Sequence, residues 1–176
     1  MQVAAVLVPI YRDLDGELRL VLVRRTDHGI HGGQIAFPGG KRIPEDNTLV
    51  DTAIREAREE IGIPAGAIEI LEHLPVMETR TTGFRIYPFL SRVVPPKEWR
   101  LEEQEVAEVL AVRIKDLSLP EVCGEELRHF PVRSDPGRIE PQRICFFRIG
   151  PHKLWGATYR ILNPLIPRLV AGEWSV

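Results

Sequence analysis

Glu56, Glu59 and Glu60 are the residues whose type and spacing point most directly to chemistry. They lie in the stretch from Phe37 to Ile63, FPGGKRIPEDNTLVDTAIREAREEIGI, which reads as a tight glycine loop, a polar linker and one helix. Asn47 or Thr48 supplies the N-cap, and Gly62 with Pro64 behind it stops the helix. At about 100° per residue, Val50, Ala53, Ile54, Ala57 and Ile61 share one side, and the three glutamates share an adjoining, exposed arc. Like charges one turn apart cost about 0.2–0.5 kcal/mol per pair in an isolated helix. Glu59 is relieved by Arg55, one turn before it, whereas Glu56 and Glu60 have no Lys or Arg one turn away in either direction. Two explanations fit: a solvated acidic face, or a site for a hard divalent cation. Mg2+ takes a few carboxylate oxygens and keeps waters for a phosphate substrate. Gly39 and Gly40 just upstream, where backbone can approach closely, favour the cation.

The elements that must hold this helix follow from the apolar pattern. Val3 to Ile10 and Leu18 to Val23 read as strands joined by the turn at Asp13 to Gly16, a hairpin. Thr26 to Gly33 is a glycine-rich loop carrying His28 and His31, each either solvated or a contact to substrate phosphate. Gln34 to Phe37 is a short strand that feeds the glycine loop. Ile68 to Leu74 and Phe84 to Val94 are further strands, the latter confined by Pro88 to a sheet edge or a bulge. The acidic run Glu102 to Glu108 leads into a strand near Val112. Pro120 to Pro141 is turn-rich, the least structured part and a candidate flap. Ile144 to Ile149 is a strand, and a helical pattern runs from Lys153 to Leu162 with Trp155 in the core. After about Leu162 either a break or a second short helix with Pro164 near its first turn is expected. Strands, a helix, more strands and a C-terminal helix make an α/β or α+β fold with a mixed sheet.

The chain's 176 residues suit one domain, 1–176, with a sizeable core. Hydrophobic residues at 44%, charged residues at 27% and a net charge of −2 fit a globular protein and argue against nonspecific binding to nucleic acid or acidic membranes. Cys123 and Cys145 form neither a disulfide framework nor a zinc site and read as thiols in a reducing compartment. No apolar run is long enough to span a membrane, and no leader is visible, so a cytoplasmic location is expected.

The run Arg55-Glu56-Ala57-Arg58-Glu59-Glu60-Ile61-Gly62-Ile63 resembles the second half of the Nudix box, R-E-U-x-E-E-x-G-U, at every position. Gly39 and Gly40 resemble its opening glycine. Counted from Gly40, the early acid falls on Asp46 and the gap to Arg55 is one residue longer than in the usual box; counted from Gly39, it falls on Glu45 and the gap is two residues longer. The resemblance implies a Nudix fold, a mixed β-sheet sandwiched between helices, and hydrolysis of a diphosphate linkage with Mg2+ or Mn2+. It makes Glu56, Glu59 and Glu60 metal ligands, with the Gly39 or Gly40 carbonyl completing the shell. Arg55 holds Glu59 in place, and either Glu59 or Glu105 is the general base. Arg24, Arg25, Arg80 and Arg85 are phosphate-binding candidates, of which Arg25 and Arg80 flank loops.

The flanks are similar to the coenzyme A pyrophosphatase branch of that family. Leu22-Val23-Arg24-Arg25-Thr26 fits the start of its upstream motif, and His31, Gly33, Ile35, Phe37, Pro38, Gly39 and Gly40 fit its end, with one residue deleted and the Arg before His31 absent. Thr82 to Leu90, Glu105 to Val109 and Trp155 to Leu162 resemble its later segments. The implied substrate is coenzyme A, a small nucleotide-type molecule. The competing substrates are ADP-ribose, a dinucleoside polyphosphate or an oxidised nucleoside triphosphate, and the competing class is an inactive Nudix domain that only binds. Oligomeric state is not legible.

Overall fold

The two N-terminal apolar runs are strands buried on both faces, and their alternation divides the interior in two. In the computed structural model, which describes residues 2–28, 31–79, 83–132 and 134–176, β1 (Gln2–Arg12) and β2 (Leu18–Arg25) form the expected hairpin, with Ile10 opposite Leu20. Successive side chains point to opposite faces. Ala5 and Leu7 with Val21 and Val23 enter one core; Val8 and Ile10 with Leu20 and Leu22 enter the other. Burial on both faces is why the sequence shows continuous apolar runs here.

The chain continues through β3 (Ile35–Ala36), β4 (Gly39–Lys41), α1 (Leu49–Ile61), β5 (Ile68–His73), β6 (Met77–Glu78), β7 (Phe84–Val93) and β8 (Val106–Arg113). The sheet order is β3-β2-β1-β7-β5, with β4 also on β1, β6 on β7 and β8 on β2. β1 and β7 run parallel while the other pairs are antiparallel, so the sheet is mixed, as expected. Thr48, rather than Asn47, caps α1: its hydroxyl accepts from the Asp51 N–H, and the Asp51 carboxylate accepts from the Thr48 N–H. Gly62 ends the helix in the left-handed region at φ 76°, donating its N–H to the Arg58 carbonyl. Ala53, Ala57 and Ile61 seat α1 on one face of the sheet. The other face is covered by α2 (Gly156–Leu162), α3 (Ile166–Val170) and a separate antiparallel sheet of β9 (Cys123–Val132), β10 (Asp135–Ile149) and β11 (His152–Trp155).

Three expectations are corrected. Pro120 to Pro141 is not a loose flap; most of it is the β9–β10 hairpin. Residues of β9 alternate between exposed and half-buried, a period-two signal that the prolines obscure. Pro131 lies on the edge strand, and Pro141 lies where β10 has β9 as its one neighbour, because β11 pairs only with Phe146 to Ile149. Pro88 is not on an edge strand, since β7 has neighbours on both sides. β5 pairs as far as His73 opposite Phe89, and β6 begins at Met77 opposite Ile86, so Pro88 falls in the gap between them. Its carbonyl accepts from the Leu74 N–H on that same side, so no ladder bond needs the N–H that proline lacks. The C-terminal helix starts at Gly156 instead of Lys153, because Leu154 and Trp155 pair with Phe147 and Phe146. Of the two alternatives at the C-terminus, the second short helix forms, but Pro164 lies in the turn before it and Pro167 instead sits in its first turn, where a missing N–H costs nothing.

At Gly62 a side chain would suffer both the positive φ and a Cβ contact at 2.9 Å with the Cβ of Arg100. Gly62→Ala is expected to lower unfolding free energy by at least about 1–2 kcal/mol, measured by denaturant titration, with the far-ultraviolet spectrum unchanged.

Candidate active site

Pairing of β4 with β1 carries Gly39 and Gly40 over the side of α1 that bears Glu56 and Glu60. A Cβ on Gly40 would sit 2.5 Å from the Glu56 carboxyl carbon, and one on Gly39 would sit 2.4 Å from the Ala5 carbonyl oxygen. Backbone contact therefore requires glycine at position 39, whereas at position 40 a side chain would have to displace the Glu56 carboxyl. The Gly39 N–H donates to Glu60 Oε2 at 3.0 Å. Glu60 is 3% exposed, which corrects its expected place on an exposed arc. Burial pushes its carboxyl up to about 8; the Gly39 N–H and the Arg25 charge oppose the shift, and the Glu56 and Glu105 charges add to it. Burial likewise raises the Glu56 carboxyl, against the pull of Arg55.

Arg55 binds more than Glu59. Its guanidinium grips Asp46 in a two-pronged pair, Nε to Oδ1 at 2.9 Å and Nη2 to Oδ2 at 3.0 Å. Its Nη1 donates to Glu56 at 2.9 Å and to Glu59 at 3.0 Å, and Nη2 also reaches the Lys41 carbonyl at 3.0 Å. Glu56, which has no cation one turn away, is thus partnered by the adjacent residue. Asp46 is buried and accepts further bonds from the Ile43 N–H at 3.1 Å and the Thr52 hydroxyl at 2.8 Å. The early acid facing Arg55 is Asp46, while Glu45 is exposed. Arg55 holds the Asp46 carboxyl well below the usual carboxylate range, and Asp46 raises the guanidinium in return.

Arg25, His31, Gly39 and Gly40 line one cleft of about 530 Å³. Its opposite wall, not foreseen from the sequence, is built from Phe130, Gln142, Arg143, Trp155, Tyr159 and Arg160. Trp155, expected in the core, is half-buried there. Glu105 is exposed; its charge acts on both Glu56 and Glu60, and its carbonyl accepts from the Thr26 N–H at 2.9 Å. Arg24 is paired with Glu108 at 3.3 Å and Arg85 with Glu78 at 2.8 Å. Arg80 lies outside the described residues. A separate hollow of about 390 Å³, lined by Tyr11, Arg12, Glu69 and Arg92 among others, contains none of the candidate residues.

Among the described residues, no three His, Cys, Asp or Glu side chains converge on one point. Glu59, with half its side chain exposed, is turned to Arg55. Glu56 and Glu60 nonetheless fit a hard dication. Both are carboxylates whose charge is disfavoured by burial and by neighbouring carboxylates, a tension that a bound dication relieves, and both lie against the glycine strand.

The chain belongs to the Nudix hydrolase family: residues 1–131 match the NUDIX domain. It is 32% identical over 163 residues to an uncharacterized Nudix hydrolase, NudL, of Salmonella paratyphi B, a match covering 92% of this chain and 80% of that one. It is 44% identical over 105 residues to the uncharacterized NudL of Yersinia enterocolitica, covering 59% of this chain and 52% of that protein, about half its length. The structure is similar to the NUDIX domain of Shewanella oneidensis NrtR complexed with ADP ribose, with a TM-score of 0.52 at 20% identity, covering 68% of this chain and 78% of that one. Nudix hydrolases generally use divalent metal ions. The family match stops before Gln142, so most of the cleft's second wall lies beyond it.

Two substitutions test the site. The folded Glu60 carboxyl, at about 8, stands above an unfolded value near 4.3. Its contribution to stability is therefore fully present below about pH 4.3 and is lost as pH rises toward 8. Metal-free Glu60→Gln is expected to melt above the wild type at pH 8, by about 2–4 °C or more, with the difference vanishing near pH 4 and with excess Mg2+ raising only the wild type strongly. Equal melting temperatures at pH 8 without metal would refute the buried-charge assignment. Asp46→Asn is expected to cost about 1.5–3 kcal/mol. Because the Asp46 carboxyl is depressed, that gap is present above about pH 3.9 and narrows as pH falls below it, which parallel thermal melts across pH would reveal.

Proposed function

We propose that the protein hydrolyses a diphosphate linkage in a nucleoside diphosphate derivative, with Mg2+ or Mn2+ held by Glu56, Glu60 and the Gly40 carbonyl. Glu59 joins that shell if it leaves Arg55. The observation that carries the reading is the buried Glu60 carboxylate, which feels the Glu56 charge and is bonded to the N–H of Gly39, a residue that lines the cleft. An inactive binding domain would have no need to keep two mutually repelling carboxylates in low-dielectric surroundings.

The bound metal supplies charge neutralisation at the phosphoryl oxygens and a more acidic water. The chain supplies position. The Gly39 N–H fixes one oxygen of Glu60, and Arg55, anchored on Asp46, fixes Glu56 and Glu59. Arg25, His31 and the Gly39 backbone line the path of the phosphates, with Arg80 a further candidate. The proton of the attacking water goes to Glu59 or Glu105, carboxylates exposed enough to pass it to solvent. In this reading residues 1–176 act as one unit, since Phe147, Leu154 and Leu162 share a core with Leu20 and Leu22. The expected setting is the cytoplasm, in keeping with the unpaired Cys123 and Cys145. No helix among the described residues is long and apolar enough to cross a membrane.

Coenzyme A, cleaved to adenosine 3′,5′-bisphosphate and 4′-phosphopantetheine, is the proposed substrate. It is supported by the resemblance of the segments at Arg25 to Gly40, Thr82 to Leu90 and Trp155 to Leu162. ADP-ribose is the second reading, favoured by the ADP-ribose complex of the structurally similar NrtR domain. A cation meeting the adenosine 3′-phosphate is worth about 1.5–3 kcal/mol, so dephospho-coenzyme A is expected to be poorer by about tenfold or more. The measurement is kcat/KM for coenzyme A, dephospho-coenzyme A, ADP-ribose and diadenosine polyphosphates in one Mg2+ buffer. Equal rates with and without the 3′-phosphate remove the cation argument, and a clear preference for ADP-ribose replaces coenzyme A.

A further inference from the structure

We propose that Trp155 and Phe130 form a stacking platform for the nucleobase of the substrate, with Gln142 at its edge. The proposal deepens the hydrolase reading and rests on it. In the register of the second sheet, Phe130 stands opposite Glu140, Gln142 opposite Arg128, and Phe146 between Gly124 and Trp155. Phe130, Gln142 and Trp155 therefore share one face of that sheet, and all three line the cleft. The two rings are 5.9 Å apart between centroids and inclined at 43°.

The indole is braced by Arg128, which stands opposite Gln142 on the same sheet face. The Arg128 guanidinium lies 4.4 Å from the Trp155 ring centroid and is itself fixed by Glu126 at 2.7 Å. Arg128 does not line the cleft whereas Trp155 does, so the guanidinium steadies the indole without itself lining the cavity. Gly124 makes this packing possible: a Cβ there would lie 2.4 Å from the Phe146 ring, which supports Trp155 across the strand pair.

The chemistry of this wall suits a flat, hydrogen-bonding ring. Both aromatic side chains offer π-faces, which stack on any base. The Gln142 amide carries both a donor and an acceptor, the combination a base edge presents; a purely apolar tail would have no use for it. The glycine loop lines the same cleft, with its Gly39 N–H bonded to Glu60 and Gly40 against the Glu56 carboxyl. A nucleoside diphosphate derivative with its diphosphate at the carboxylates would then direct its base to the wall. The wall also lies almost wholly beyond the family match, which ends at residue 131. Bond breaking thus belongs to the part of the cleft inside the family match, and base selection to Phe130 at its end together with Gln142 and Trp155 beyond it.

Fluorescence titration and steady-state kinetics test the platform. The chain has three tryptophans, Trp99, Trp155 and Trp174, so the W99F/W174F double variant reports on Trp155 alone. If that variant is unstable, the difference between wild type and Trp155→Phe gives the same signal. Saturable quenching by ADP, with none by ribose 5-phosphate, is expected. With the best-hydrolysed nucleotide, Phe130→Leu and Trp155→Leu are expected to raise KM about tenfold while kcat changes less than threefold, and Trp155→Phe is expected to stay near the wild type. Equal quenching by ADP and ribose 5-phosphate, or no quenching together with an unchanged KM in Phe130→Leu, overturns the platform. ADP quenching in a wild-type protein that hydrolyses no diphosphate would retain the platform and sink the hydrolase reading instead.

Discussion

The site depends on one close approach, that of helix α1 to the glycine strand β4. Gly39 is paired to β1 so tightly that a single methyl would strike the Ala5 carbonyl, and Gly40 leaves no room for a methyl beside Glu56. That contact removes Glu60 from water and gives it one backbone N–H in return. A single neutral hydrogen-bond donor does not offset the desolvation of a carboxylate, so the folded protein holds an acid whose charge is disfavoured. A dication relieves this, which ties the packing of an apolar helix face to the proposed metal chemistry. The proposed metal binding thereby links to the stability of this corner through the same carboxylate.

Arg55 organises the other two glutamates. A lone guanidinium facing two glutamates would be free to follow either one. Its two-pronged bond to the buried Asp46, itself held by Thr52 and the Ile43 N–H, leaves only Nη1 for Glu56 and Glu59. The linker between glycine loop and helix is therefore structural in a specific sense: it delivers Asp46 to the one position from which Arg55 can be aimed. The one-residue excess in spacing before Arg55 is absorbed in this linker, and the helix carries the glutamates onward unchanged.

The second sheet gives the cleft its other side. It shares a core with β1 and β2 through Phe147, Ile149 and Leu154, so the wall bearing Phe130 and Trp155 is packed against the mixed sheet by buried apolar side chains. Such a wall has a defined place relative to the carboxylates, which a mobile flap would not have.

Much of this was legible in the sequence. The acidic helix, its cap and stop, the hairpin of β1 and β2 and the mixed character of the sheet follow from local rules, because helical spacing, turn residues and apolar runs are properties of a single stretch of chain. The proline-rich segment from Pro120 to Pro141 misled, because proline marks a break only where a ladder needs its N–H, and that is set by which neighbours a strand has. The same reason separates Glu60 from Glu59. Along the helix the two are adjacent and alike, and the periodicity places both on one acidic arc. Tertiary structure alone buries the first and leaves the second half-exposed, because burial is decided by the strand that β1 brings over the helix.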